Sequence, residues 1–231
     1  KAVYSANALH SHLAWKLLVA EWQQQGTLLL YHQHGGGYGV DSLHPIEEFE
    51  TRVADRYYTF GWGRDQPHIK QLSPPQINAP TRPRKRLLLS CLDMPRVVYR
   101  LGFKAMPGTI ETMHQDTCEF LARLPDRRHL LVRTYQHDYG WGAVEMMRKA
   151  APDAEFDDRK KSAAIRFAES RLVIHNYLGT GWLETLALDI PTVCFYDTET
   201  YAFREAAQPH IEALESVGVL HRSGNSAALF V

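Results

Sequence analysis

Two histidines, a glutamine and three consecutive glycines follow an apolar run in the segment YHQHGGGYG, residues 31–39. Imidazole exchanges a proton near neutral pH, so His32 and His34 are candidates for a general base or for protonating a leaving group. We favour His34, because it lies closer to the end of the predicted strand, residues 27–33. Glycine lets another molecule approach the backbone closely. The segment therefore predicts a loop that faces a substrate cleft, formed by Gln33, Gly35, Gly36, Gly37 and Tyr38 beside the two histidines.

Three other interpretations of this loop compete with the cleft. A P-loop requires the pattern GxxxxGK[ST], and no lysine follows these glycines. A zinc site requires ligands beyond His32 and His34, and no nearby cysteine or HExxH motif supplies them. A plain glycine turn stays open as an alternative, although it gives no reason for the clustered His, Gln, Tyr38 and Asp41.

Four carboxylates on the following element extend the list of candidates for acid–base chemistry: Glu47, Glu48, Glu50 and Asp55. A carboxylate can deprotonate an attacking hydroxyl or act as the nucleophile of a double displacement. Asp55 stands beside Arg56, so a structural ion pair is an equally good interpretation of that residue.

A second polar group surrounds the turn in HNYLGTGWLETLALDIPTV, residues 175–193. Asn176 ends an apolar strand, and Gly179, Thr180 and Gly181 open a helix. Small residues at a helix N-terminus leave backbone N–H groups able to reach an anion such as a phosphate. Glu184 falls about one turn inside the helix, where its carboxylate can hold a ribose diol. The alternative is a tight strand–helix turn with a surface glutamate.

Two further candidates lie at the ends of apolar strands. Arg133 follows the run LLV, and a guanidinium neutralises a departing phosphate through paired hydrogen bonds. Ser90 follows LLL, with Asp93 close behind it. The structural alternatives are an ordinary ion pair for Arg133 and a solvated loop for Ser90 and Asp93.

Alternating strands and helices must position these side chains. After residue 84 the apolar runs predict strands at 85–92, 129–135, 154–158, 171–177 and 191–197, separated by helices at 108–124, 142–151, 162–170 and 181–189, with a last helix at 207–219. Short, uniformly apolar strands are typical of a parallel sheet covered on both faces, which is a doubly wound α/β fold. Before it, helices are expected at 5–25 and 46–54 and strands at 27–33 and 56–62. Ligands of such sheets bind beyond the carboxyl ends of the strands.

Two of these stretches carry a resemblance. GTGWLETLALDIPTV resembles the donor-site stretch of GT-B glycosyltransferases. YHQHGGGYG, followed by EEFETRVADRYYTFGWG, is similar to the QHGG-Y-G … E … D-R … WGW pattern of a family of bacterial transferases of capsule and surface-carbohydrate biosynthesis. Glu48 and Asp55 match the acidic positions of that pattern, and Arg133 would face the donor phosphates.

The resemblance implies two Rossmann-like domains with a cleft between them. Residues 1–63 would be the C-terminal part of the N-terminal, acceptor-side domain, 64–83 a proline-rich linker, and 84–231 the nucleotide-sugar-binding domain. It implies a glycosyltransferase that moves a sugar from a nucleotide-activated donor to a glycan or lipid-linked acceptor in capsule or O-antigen synthesis. Two alternatives stay open: a nucleotide-sugar epimerase or polyol-phosphate transferase, and a non-catalytic glycan-assembly module.

The amino-acid composition indicates which molecules the protein binds and where it works. Lys+Arg and Asp+Glu number 26 each, and this balance argues against a general nucleic-acid binder. Three scattered cysteines are typical of reduced thiols, so we expect a cytoplasmic protein, working beside membrane-bound polysaccharide assembly at the inner face. Asp157 and Asp158 are adjacent instead of spaced as in DxD, so we expect metal independence and no cofactor. The chain begins without Met, which favours a segment of a longer protein.

Overall fold

The computed structural model describes residues 1–9, 12–63, 65–72, 86–98 and 106–231. Its strands are β1 (Ala2–Ser5), β2 (Leu28–His32), β3 (Arg56–Thr59), β4 (Ile69–Gln71), β5 (Arg86–Ser90), β6 (Leu130–Arg133), β7 (Glu155–Phe156), β8 (Ser170–His175), β9 (Thr192–Phe195) and β10 (Leu220–His221). Its helices are α1 (Leu13–Gln24), α2 (Pro45–Val53), α3 (Pro107–Arg123), α4 (Ala143–Ala150), α5 (Ala163–Ala168), α6 (Thr180–Ala187), α7 (Gln208–Ser216) and α8 (Gly224–Phe230).

The larger sheet has six strands in the order β10-β9-β8-β5-β6-β7, and every pair is parallel. Read from β7, this is the Rossmann order 3-2-1-4-5-6, which reverses direction between β5 and β8. Ser90 pairs with Arg133 on one side and with His175 on the other, so all three lie level at the carboxyl edge. The predicted α/β fold with parallel sheets is confirmed.

The core of this sheet explains the uniformly apolar strands. Leu89 on β5 packs on one face with Phe120 of α3, whereas Leu88 packs on the other with Phe167 of α5. Successive residues of a strand point to opposite faces, so a sheet covered by helices on both faces requires an apolar side chain at every position. This is why LLL and LLV predict strands correctly.

The smaller sheet has the order β1-β2-β3-β4, again with parallel pairs. Its core includes Leu29 and Tyr31 of β2, Tyr57 of β3 and Val19 of α1. Helix α2 begins where the sequence predicts, because the His44 ring accepts a hydrogen bond from the Glu47 amide at 3.0 Å and a proline follows the cap.

The structure differs from the sequence-based expectation at its short elements. Residues 2–5 form β1, and α1 begins at Leu13 instead of near residue 5. Ile69–Gln71 form β4, which pairs with β3, inside the stretch expected to be a linker. Only Ile69 of this strand is buried, so the sequence there shows no strand pattern. Residues 64 and 73–83 of that expected linker lie outside the described residues. Strand β10 and helix α8 are also unpredicted.

The two sheets are joined by contacts of the segment after β9. Asp41 forms an antiparallel bridge with Phe203. The Arg204 guanidinium donates to both Glu47 carboxylate oxygens, at 3.1 and 3.2 Å, and to the Asp41 carbonyl at 2.9 and 3.1 Å. After β5–β9 of the larger sheet, the chain therefore contacts the loop and the helix α2 that follow β2 of the smaller sheet.

Candidate functional site

A polar cavity of about 310 Å³ opens at the carboxyl ends of β5, β6 and β8. This is where the strand order reverses, the position at which open α/β sheets bind their ligands. The cavity brings together five of the seven residues that the sequence predicts for the donor: Ser90, Arg133, Thr180, Gly181 and Glu184. The remaining two, Asn176 and Gly179, do not line it.

The Arg133 side chain is already engaged in contacts within the protein. Its guanidinium forms an ion pair with Asp157 and donates to the Lys161 carbonyl at 3.2 Å. Burial by itself raises the pKa of Asp157, but hydrogen bonds from Arg166 and Arg133 outweigh it, so the pKa lies below its usual value. The structural interpretation of Arg133, an ion pair at a strand end, therefore describes its contacts.

Arg159 is a cavity residue that the sequence did not single out. Its side chain is exposed, lines the cavity and donates to the Thr134 hydroxyl. Its backbone is left-handed, with φ of 59°, a conformation that is uncommon outside glycine and asparagine. Within the described residues the Arg159 guanidinium has no carboxylate partner, in contrast to Arg133 and Arg166. Of the two arginines that line the cavity, Arg159 is therefore the one without a carboxylate partner.

Glu184 projects into the cavity from the second turn of α6. It is half-buried, and burial raises the pKa of its carboxyl group. A carboxylate in partly excluded water forms stronger hydrogen bonds with hydroxyl groups than an exposed one. The predicted contact of Glu184 with a ribose diol stays a prediction.

The turn before α6 meets the glycine loop of the smaller sheet. The Gly36 amide donates to the Thr180 hydroxyl at 3.1 Å. A Cβ on Gly36 would lie 2.2 Å from the Gly179 carbonyl oxygen, and one on Gly35 would lie 2.9 Å from the Thr180 hydroxyl. These two glycines therefore allow contact between the loops, a role that the sequence did not reveal.

Asn176 and Gln33 turn into the fold instead of toward the cavity. The Asn176 amide accepts from the Leu92 backbone at 2.8 Å and donates to the Thr117 hydroxyl at 3.0 Å. The Gln33 amide accepts from the Phe60 backbone at 2.9 Å and from the Trp62 indole at 2.7 Å. Both side chains are buried and fix neighbouring loops.

The histidines of the glycine loop differ in environment. His34 is exposed, and its Nδ1 lies 3.2 Å from the Tyr38 hydroxyl. His32 is half-buried with its ring 5.0 Å from that of Phe60, and burial lowers its pKa. Gly37 has a φ of 87° and completes the turn.

The predicted carboxylates have unequal roles. Asp55 accepts from the Leu29 amide at 2.7 Å and from the Gln23 amide at 3.1 Å, so it joins β2 to α1. The expected ion pair with Arg56 is replaced by a bond from that guanidinium to the Asp55 carbonyl at 3.0 Å. Glu48 is exposed on α2.

Of the four predicted carboxylates, Glu47 and Glu50 are completely buried. The Glu50 carboxylate accepts from the Tyr57 hydroxyl at 3.0 Å, and burial together with the nearby Glu50 raises the pKa of Tyr38. The helical spacing of positions 47, 50 and 51 on the inner face of α2 is the signal that could have found them, once the boundaries of α2 were known.

A smaller cavity of about 140 Å³ adjoins the first on the β5–β6 side. The two share residues of the loop after β6, and the smaller one also contains Asp93, His137 and Asp138. In this loop the ring of Tyr135 lies nearly parallel to that of Tyr139, with centroids 6.0 Å apart. Aromatic rings at a cavity rim offer flat surfaces for a heterocyclic base.

Among the described residues, no group of three His, Cys, Asp or Glu side chains is arranged to hold a metal ion. No helix in the same part of the chain has the length and apolar character needed to cross a membrane.

These features define a Rossmann-like α/β protein with a cavity at the switch point of its larger sheet. The chain belongs to the LIC12162 family of transferases, whose family model, described as "LIC12162 family transferase", matches residues 1–231. No curated protein shows significant similarity to the chain. The predicted enzyme class, a transferase, is thereby confirmed at the level of the family.

Proposed function

We propose that this transferase is a glycosyltransferase of GT-B-like plan, which moves a sugar from a nucleotide-activated donor to a glycan or lipid-linked acceptor of surface polysaccharide. The observation that carries the proposal is the cavity at the switch point, which gathers Ser90, Arg159, the start of α6 and Glu184. A nucleotide sugar needs a cation and backbone amides for its phosphates and a carboxylate for a diol.

The donor roles follow from the lining of the cavity. Arg159 meets the diphosphate together with the amides at Thr180 and Gly181, and Ser90 adds a hydroxyl from the next strand end. Glu184 accepts from hydroxyl groups of a sugar. Arg133 supports this wall through its ion pair with Asp157 and contributes positive potential.

The smaller sheet supplies the opposite side of the site. Its glycine loop contacts the turn before α6 through Gly36 and Thr180, and the exposed His34 belongs to the same loop. We assign His34 as the base that removes a proton from the attacking hydroxyl. In this proposal residues 84–231 bind the donor, and the acceptor-side domain extends past residue 63 to Gln71, where β4 ends.

A panel of nucleotides tests the donor site. Thermal shift and calorimetry of the protein with CMP-, CDP-, UDP- and GDP-activated compounds should give stabilisation by one base class. A ligand at one hundred times its Kd stabilises the folded state by about 2.7 kcal/mol. Stabilisation by CDP-polyols alone would identify a polyol-phosphate transferase, and no stabilisation by any nucleotide would overturn the proposal.

Paired variants locate the binding. Arg159→Ala and Glu184→Gln should each weaken nucleotide affinity by roughly tenfold or more, as expected when a charged hydrogen bond is lost. Arg171→Ala and Glu212→Gln are matched controls, because both side chains are exposed and neither lines the cavity. Equal affinity of Glu184→Gln and its control would remove Glu184 from the donor site.

A further inference from the structure

The smaller cavity, beside β5 and β6, has the dimensions of a single six-membered ring. Its volume is about 140 Å³, and an apolar cavity of about 150 Å³ in another protein holds one benzene molecule. Part of its wall is apolar and consists of Leu92, which follows β5, and of Ala143, Val144 and Met147 on α4. A purine has two fused rings, so a pyrimidine is the heterocyclic base that fits this space.

One carboxylate is held in the wall of this cavity. Asp93 is buried and lines the cavity. Its Oδ1 accepts from the Met94 amide at 2.9 Å and lies 3.2 Å from Nε2 of His114, which is itself buried on α3. Within the described residues the Asp93 Oδ2 has no hydrogen-bond partner. One oxygen therefore fixes the orientation of the carboxylate, and the other is available to a ligand.

An amino group is the ligand feature that such an oxygen selects. A carboxylate accepts hydrogen bonds and has none to donate, and proteins that recognise bases use it to accept from the amino group of cytosine. Uracil carries a carbonyl oxygen at the same ring position, so two acceptors would face each other at Asp93. Because a buried acceptor left without a donor is costly, this position discriminates between the two pyrimidines.

The two cavities adjoin in the order that a nucleotide requires. Thr134, Tyr135, Gln136 and Arg159 line both of them, whereas Glu184 lines only the larger one. A base in the smaller cavity is therefore followed, past Arg159, by phosphates in the larger cavity.

We propose that the smaller cavity binds a cytosine base and that Asp93 sets this specificity by accepting a hydrogen bond from the amino group. The donor is then a cytidine nucleotide. This rests on the proposed function, in which the donor phosphates lie at Arg159 and the start of α6. The other carboxylate that lines the cavity, Asp138, is exposed, and its Oδ1 accepts from the Gly140 amide at 2.7 Å. Because water competes for an exposed carboxylate, Asp138 discriminates less between bases.

Calorimetric titration with CDP, UDP and GDP tests this specificity. The unmodified protein should bind CDP roughly tenfold or more tightly than UDP, because only cytosine offers an amino group to Asp93. Asp93→Asn should reduce this ratio to about threefold or less, since an amide can turn its N–H groups toward the uracil carbonyl. Asp138→Asn removes the same charge from the same cavity and is the matched control, for which we expect an unchanged ratio. GDP, whose base has two rings, should bind more weakly than CDP.

Four results would overturn the proposal: equal affinity for CDP and UDP, tighter binding of UDP or GDP, an unchanged ratio in folded Asp93→Asn, or a ratio lost in Asp138→Asn instead. If Asp93→Asn does not fold, the ratio measured with the unmodified protein still decides. Nucleotide binding without a preference for cytosine counts against this inference alone, whereas binding of no nucleotide overturns the glycosyltransferase as well.

Discussion

Asp55 is a carboxylate whose contacts are those of a structural residue. Its oxygen accepts from the amide of Leu29, a buried residue of β2, and from the Gln23 side chain. Asp55→Ala leaves the buried Leu29 amide without its acceptor, and such a loss costs about 1–3 kcal/mol. We expect Asp55→Ala to lower the free energy of unfolding in urea by that amount.

Asp55→Asn separates structure from chemistry, because an amide oxygen can still accept both hydrogen bonds. It should retain most of the stability that Asp55→Ala loses. Glu111→Gln, an exposed substitution on α3, should change stability by less than about 0.5 kcal/mol and serves as the control. If Asp55→Asn abolishes nucleotide-dependent activity at unchanged stability, the residue is catalytic after all.

His175 makes stability depend on pH. It is completely buried at the end of β8, and burial lowers its pKa to about 3. In the unfolded chain the ring has a pKa of about 6.5, so below that pH the unfolded state binds a proton that the folded state excludes. The contribution of His175 is complete above about pH 6.5 and is lost as pH falls toward 3, by about 1.4 kcal/mol per pH unit.

Urea unfolding between pH 7 and pH 5 measures this slope. His175→Gln should show a smaller loss of stability per pH unit than the unmodified protein, and His210→Gln, at an exposed position, should not. An NMR titration of His175 gives the same answer without a variant: protonation of the folded protein above pH 5 would contradict the assignment.

The elements meet where two glycine-containing turns touch. Gly36→Ala places a methyl group 2.2 Å from the position of the Gly179 carbonyl oxygen, so one of the two loops must move. Overpacking of this kind costs about 1–3 kcal/mol. We expect Gly36→Ala to be destabilising and to weaken nucleotide binding, because the displaced turn leads directly into α6, whose first residues line the cavity.

Gly108→Ala is a control of opposite sign. This glycine lies in the first turns of α3, and a Cβ there meets nothing within 4 Å. Alanine favours a helix over glycine by roughly 0.5–1 kcal/mol, so Gly108→Ala should stabilise the protein. Equal thermal midpoints for the two alanine variants would show that the loops do not pack as described.

Local patterning explains how much of these elements the sequence predicts. Leu87–Leu89 lie in a strand that is covered on both faces, so every position requires an apolar side chain, and the sequence LLL shows this directly. Ile69 is the single buried residue of β4, so no pattern marks that strand. Gly36 owes its identity to a contact 144 residues away. The strand ends therefore predict the cavity, whereas the choice among Glu47, Glu48 and Glu50 requires the orientation of α2.

At the scale of the whole molecule, the two sheets are connected beside the candidate site. Arg204 ties the segment after β9 to the buried Glu47 of α2, and the Gly36–Thr180 bond joins the loops themselves. Removing one partner of a buried ion pair costs several kcal/mol, so the first contact is a strong constraint. A ligand that fixes the start of α6 should therefore also stabilise the glycine loop of the smaller sheet.

Hydrogen exchange of the intact chain tests this coupling. A nucleotide that binds in the cavity should slow amide exchange at 179–184, which it contacts, and also at 33–39, which it reaches only through the junction. Local opening governs exchange in loops, and a bound ligand lowers the population of the open form. Residues 220–231, none of which lines the cavity, provide the internal control. Protection at 179–184 with unchanged exchange at 33–39 would mean that the two sheets bind independently, and the glycine loop would then have no part in the donor-bound state.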